Sequence, residues 1–331
     1  MARRKRHHTV TKAVLQGFAE RGLVRAWRRD GRNHPQALGD ASVVADFYTF
    51  DNDGRNDDAV ETWLGEATED DFAKLLPGLR AGAQPTASET DCLANYVGTA
   101  ITRTRTARSC MQQVGHDIQG TVVLMTIAPK LGWDLRTMTA SEVMRLRRIC
   151  SDAWDSISPV ADPASLLRTL VRQSQQARAK LANYNWSVTM TPKPAFLIGD
   201  APVATIGTPS GGWHGLLPQG CVVCLPVSPT AILVGEPTAF AGSPSAGDLA
   251  KVVNQRTCQE AYAVVYSHPD QRWPEDLAPL HPTTPRLPEP RTSIGRTPSG
   301  TPPTFPAEYP PITDAQTAAL LHHLRAADIV E

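Results

Sequence analysis

Apolar residues recur at helical spacing through Val10, Ala13, Val14, Leu15 and Phe18; Gly22 closes that segment, and Leu23-Val24-Arg25-Ala26-Trp27 then alternates like a strand. A second strand is expected over Val43 to Phe50, followed by an acidic loop from Asp51 to Asp58. Longer helical patterns run from Ala59 to Leu79, Ser88 to Gln119, Ser141 to Ser156 and Pro163 to Tyr184. From Trp186 the texture changes to short β-rich runs separated by Pro/Gly turns: Trp186 to Met190, Ala195 to Ile198, Val203 to Ile206, Cys221 to Pro226 and Ala231 to Val234. A helix over Ser245 to Glu260 and a strand over Tyr262 to Ser267 complete the pattern. This order predicts an α+β fold, a central helical segment with a mostly antiparallel sheet formed by N-terminal and C-terminal strands. The regular βαβ alternation of a doubly wound fold is missing.

Residues 1–268 are therefore read as one α+β domain. Residues 269–312 are rich in proline and poor in large apolar side chains, and are expected to be extended rather than to form a core. Residues 313–331 hold a short amphipathic helix with Ala318, Leu321 and Leu324 on its stripe, which would dock a partner or the chain's own surface, the latter being the expectation.

Composition narrows the function classes. Lys+Arg and Asp+Glu both number 33, so no global field draws the chain to nucleic acid or to a membrane. Any nucleic-acid contact would be local, through Arg145, Arg147 and Arg148 in one helix and Arg168, Arg172, Arg178 and Lys180 in another. A solvated helix face is the competing reading. No apolar run approaches the ~20 residues needed to span a bilayer, and the segment after Arg3-Arg4-Lys5-Arg6 is too polar for a signal peptide. Cytoplasmic location is expected, with no membrane partner. Six cysteines in 331 residues are too sparse for a disulfide scaffold, and Cys221-Val-Val-Cys224 reads as two buried strand cysteines.

Several polar residues could carry chemistry. Asp200 stands where the apolar run Phe196-Leu197-Ile198 meets a proline turn and a second apolar run; it serves either as a functional acid at a strand end or as the cap of its own turn. His7 and His8, read at the foot of the first helix, could supply a base or a metal ligand. Arg103 sits in an apolar helical pattern and needs a carboxylate or ligand partner, for which Asp46 and Glu61 are candidates. Asp51-Asn-Asp-Gly54 lacks the register of a calcium loop, and Thr208-Pro-Ser-Gly-Gly212 lacks the lysine of a phosphate loop.

The order of these segments resembles the uncharacterised bacterial family of domain of unknown function 4238. That family's His-His-x-Val-Pro start and Leu-x-x-Phe helix appear as His7-His8-Thr9-Val10-Thr11 and Leu15-Gln16-Gly17-Phe18. Its Asp-Phe-Tyr, helical glutamate and Arg-Thr pair appear as Asp46-Phe47-Tyr48, Glu61 and Arg103-Thr104. Its Ser-Asp-Asn-Pro-Val hallmark, Leu-Pro-x-Ser-Pro turn and last-helix asparagine appear as Gly199 to Val203, Leu225 to Pro229 and Asn254. The resemblance spans roughly residues 5 to 268, with Thr11, Gly199 and Ala201 departing from its pattern. It brings no established activity.

Two functions follow as expectations. One is an intracellular hydrolase acting on phosphodiesters, with His7 or His8 as base or metal ligand, Asp200 as orienting acid or ligand to a divalent metal, and Arg103 stabilising negative charge. Asp46 and Asn254 complete its candidate residues. The other is a non-enzymatic binding or regulatory module, such as a defence or mobile-element accessory protein. In that case Asp200 caps a turn, Arg103 pairs with a carboxylate and Asn254 bonds the sheet backbone.

Overall fold

The computed structural model describes residues 6–45, 50–52, 55–57, 68–157, 163–207, 217, 220–238, 246–280 and 313–326. The chain divides into two compact units, residues 1–109 with 163–289 and residues 110–162 with 290–331.

In the first unit every strand pairing is antiparallel. Strand β1 (Arg6–His8) pairs with β4 (Val43–Ala45), and β5 (Phe50–Asn52) with β6 (Arg55–Asp57). A four-stranded sheet interleaves both ends of the chain. In order, it contains β3 (Asn33–Ala37), β2 (Leu23–Arg28), β12 (Val264–Ser267) and β8 (Ile198–Gly199). The joining of N-terminal and C-terminal strands is as the α+β reading expects. Strand β3 was not foreseen, because Asn33-His34-Pro35-Gln36-Ala37 has no apolar alternation. It is exposed and carries a proline, both tolerated at a sheet edge.

The second sheet runs β7 (Tyr184–Met190), β11 (Ala231–Pro237), β10 (Val222–Ser228), β9 (Ala204–Ile206). Its central strands read as continuous apolar runs because both faces are covered. Val222, Cys224, Ile232 and Val234 face Leu249, Ala250 and Val253 in one cluster. The alternate residues Val223, Leu225, Val227 and Leu233 join the main core with Val14, Leu15, Phe18, Leu76 and Tyr96. The two-residue period of a strand thus divides one apolar run between two cores.

Helices α1 (Lys12–Leu15), α2 (Asp70–Arg80) and α3 (Thr90–Thr102) supply the main core's other wall. Arg80 ties α1 to β10, donating to the carbonyls of Val227 and Ala13 at 2.9 and 2.5 Å. The Ser88 to Gln119 pattern is not one helix, since α3 stops and α4 (Arg105–Ile127) begins anew. Thr104 makes the break: its Oγ1 accepts the Ala107 amide at 2.9 Å, an N-cap that starts a second helix. Helix α3 packs on α6 (Pro163–Leu181), where Gly98 admits the partner backbone; a Cβ there would meet the Arg178 nitrogen at 2.9 Å. Helix α7 (Ala246–Glu260) leads into β12.

In the second unit, α5 (Ala140–Ile157) and the C-terminal helix α8 (Asp314–Ala326) share a core of Val123, Leu124, Ile127, Cys150, Trp154, Leu320 and Leu324. The C-terminal helix therefore turns Leu320 and Leu324 into this core, with Leu321 half-buried, while Ala318 of the expected stripe is exposed. Among the described residues, no helix is long and apolar enough to cross a membrane.

Candidate functional site

His7 and His8 lie in a strand, not at a helix start: β1 sets them opposite Val44 and Val43 of β4. Alternation buries His7 and leaves His8 half-buried. His8 Nδ1 lies 3.2 Å from the Ala41 carbonyl. A carbonyl only accepts, so this bond selects the tautomer with the proton on Nδ1 and the lone pair on Nε2.

Beyond the histidines, a chain of buried hydroxyls begins. Thr9 Oγ1 is 2.5 Å from Ser42 Oγ, which also accepts the Val10 amide at 2.9 Å, and the Ser42 amide donates to the Tyr266 hydroxyl at 2.6 Å. Ser42 holds a left-handed φ of 57°, uncommon for a residue with a side chain. Thr11 and Tyr96 join hydroxyls at 2.7 Å, and the Tyr96 ring stacks on Phe72 with centroids 3.7 Å apart.

Asp200 is 5 % exposed. Its carboxylate does not cap its own turn. It accepts amides from a distant segment, Tyr262 at 2.6 Å and Ala263 at 2.9 Å, while its own amide donates to the Val264 carbonyl at 3.0 Å. Burial pushes its carboxyl up to about 6, opposed by those two amide bonds and by the charges of Arg105 and Arg29. Arg105 also stands 5.6 Å from the centre of the Tyr262 ring. Arg29 donates to the Cys258 and Ala261 carbonyls at the end of α7.

Arg103 is buried at the break between α3 and α4 and forms an ion pair with Glu69. Asp46 and Glu61 fall outside the described residues. Asn254, on α7, accepts the Leu197 amide at 3.0 Å and donates to the Ala195 carbonyl at 2.7 Å. Its side chain thereby takes the place of a neighbouring strand for that segment. Asp200, Asn254 and Arg103 each serve a different stretch of backbone or a different carboxylate.

Three of the basic side chains considered for phosphate contact are buried or bonded within the chain. Arg147 is buried, Arg178 donates to Asp91 at 2.8, 3.0 and 3.3 Å, and Lys180 donates to the Leu217 carbonyl at 3.1 Å. Cys221 and Cys224 are buried as expected, and burial pushes both thiols up, Cys221 to about 11.

Sequence reasoning missed Arg29, Ser42, Glu260 and Tyr266. Glu260 closes α7, accepts the Thr205 hydroxyl at 3.1 Å, and is pushed by burial up to about 7 against the pull of Arg256. For Arg29 and Glu260 the available signal was a charged residue at or near the end of an expected strand or helix, but such residues are ordinarily solvated. No curated protein and no solved structure matches this chain. A family model does match, over residues 6–271, so the chain belongs to the family described as "Protein of unknown function (DUF4238)".

Proposed function

We propose that this protein is a non-enzymatic binding or regulatory module rather than a hydrolase. The observation that carries the reading is the commitment of the Asp200 carboxylate to the Tyr262 and Ala263 amides. A carboxylate held by two backbone donors is placed to fix a turn, whereas a metal ligand or general base directs its lone pairs into a cleft. The Arg103–Glu69 pair and the Asn254 bonds to residues 195 and 197 support the same reading. Each is a structural task.

The test is a cleavage assay on single-stranded RNA and duplex DNA with Mg2+, Mn2+ or Zn2+, alongside melting of Asp200→Ala, Arg103→Ala and Asn254→Ala. All three variants should melt below wild type, and wild type should cleave no faster than a His7→Ala/His8→Ala control. Cleavage abolished by His8→Ala at an unchanged melting temperature overturns the reading in favour of the hydrolase. That second reading has one observation of its own: a neutral His8 that donates its Nδ1 proton to the Ala41 carbonyl carries its lone pair on Nε2.

A further inference from the structure

We propose that Glu20, His268 and Asp270 form a binding site for a divalent transition-metal ion at one end of the β3-β2-β12-β8 sheet. The inference is independent of the binding-module reading. One donor atom from each of the three side chains lies within 4.8 Å of the other two. A tetrahedral ion with bonds of 2.0–2.2 Å to nitrogen and oxygen holds its donors roughly 3.3–3.6 Å apart. Closing the remainder takes movements of about an ångström at side-chain ends, and Glu20 and Asp270 are exposed.

The backbone under the three residues is fixed. Glu20 and Leu23 exchange amide bonds, both 2.9 Å, across Arg21 and Gly22 at φ 50° and 77°. Two successive positive φ values mark the tight hairpin turn that feeds a strand, so Glu20 is anchored at the entry to β2. Ser267, the last residue of β12, pairs with Arg25 of β2, which brings His268 out of the sheet beside that turn. Arg25 Nε donates to the Pro269 carbonyl at 2.7 Å, and the Gln271 amide donates to the His268 carbonyl at 3.0 Å. The loop carrying two donors is thus bound to the strand that follows the third. Donors already placed by the fold lose little freedom on binding.

The donor set selects the class of ion. Two carboxylates neutralise a divalent charge, and an imidazole favours zinc or another transition ion over the oxygen-seeking magnesium and calcium. Three protein ligands leave coordination positions for water or for a bound group. His268 Nδ1 accepts the Asp270 amide at 3.3 Å, a contact at the weak end of the hydrogen-bond range that a metal can displace.

The experiment is calorimetric titration of the full chain, stripped with chelator, with ZnCl2 and separately with MgCl2. It compares wild type with His268→Ala, His268→Gln, Glu20→Gln and Asp270→Asn. One equivalent of zinc should bind wild type, on the order of tenfold or more tightly than it binds any of the variants. Zinc should raise the melting temperature of wild type but not of the His268 variants, whose metal-free melting should match wild type because His268 lies outside the strands. Using both His268 variants keeps the comparison valid if one folds poorly. The proposal is overturned if no zinc binds, if zinc binds both His268 variants as tightly as wild type, or if magnesium binds as tightly as zinc.

Discussion

Arg29 and Asp200 meet one turn from opposite sides. Arg29 donates to the Cys258 and Ala261 carbonyls at 2.8 and 2.6 Å, and Asp200 accepts the Tyr262 and Ala263 amides at 2.6 and 2.9 Å. The end of α7 exposes carbonyls with partial negative charge, and the chain leaving it exposes amides. A cation serves the first and an anion the second. The two charges also favour one another: Arg29 lowers the Asp200 carboxyl and Asp200 raises the Arg29 guanidinium, each against a larger opposing effect of burial.

Removing the carboxylate leaves the amides of two half-buried residues without their acceptor, at about 1–2 kcal/mol each, the lower part of the usual range. Asp200→Ala is therefore expected to lose about 2–4 kcal/mol in urea denaturation at neutral pH, and Asp200→Asn less, because its amide oxygen still accepts one bond. A gain in both variants would show that desolvation of the charge outweighs its bonds.

Glu260 predicts a pH dependence. Its folded carboxyl stands at about 7, above the ordinary 4.5, because burial disfavours its charge. The folded state then holds the proton more tightly than the unfolded chain. The resulting stabilisation is complete below about 4.5 and is lost as pH rises through about 7. The stability of wild type minus that of Glu260→Gln should therefore fall across that window, by on the order of 1–3 kcal/mol. Denaturation at a series of pH values measures the difference, and a flat line would refute it.

The Thr11 hydroxyl partners Tyr96 at 2.7 Å inside the core. Tyr96 is fully enclosed, and burial pushes its phenol well up. Thr11→Val should cost about 1–2 kcal/mol by stranding the phenol. Tyr96→Phe in that background should cost less than it does alone. A double-mutant cycle reads the coupling, which vanishes if the two hydroxyls do not depend on each other.

Gln84 guards a sheet edge. Its side chain accepts the Val188 amide at 3.0 Å and donates to the Val188 carbonyl at 2.9 Å, occupying the open side of β7. Gln84→Ala should lower stability by about 1 kcal/mol and increase self-association, since an unpaired edge strand recruits another. Sedimentation of the variant over a concentration series tests the second effect; an unchanged distribution would limit the role of Gln84 to local stability.

Much of the fold was legible because it rests on periodicity. The runs Cys221 to Pro226 and Ala231 to Val234 became β10 and β11, and the Ser245 to Glu260 helix begins one residue later than its pattern. The helical pattern from Ser141 became α5 with nearly the same limits. Burying an apolar stripe or face is a local requirement, and it leaves a local trace. The break at Arg103–Thr104 left only a threonine before a helix, easily overrun by the apolar residues on either side.

The candidate site is the opposite case. The residue types at positions 7, 8, 103, 200 and 254 could be singled out from the chain alone, but not what each side chain meets. Asp200 bonds residues 262 and 263, Asn254 bonds 195 and 197, and Arg103 pairs with Glu69. A three-residue strand shows no period of its own, so the chain alone places His7 and His8 at the foot of a helix; pairing with Val43 and Val44 makes the segment a strand. The sequence by itself determined which segments are apolar, with what period, and therefore which elements form. Tertiary structure alone decided the partners of the buried polar groups, because a hydrogen bond satisfies a group with any donor or acceptor that folding brings within reach, however distant in the chain.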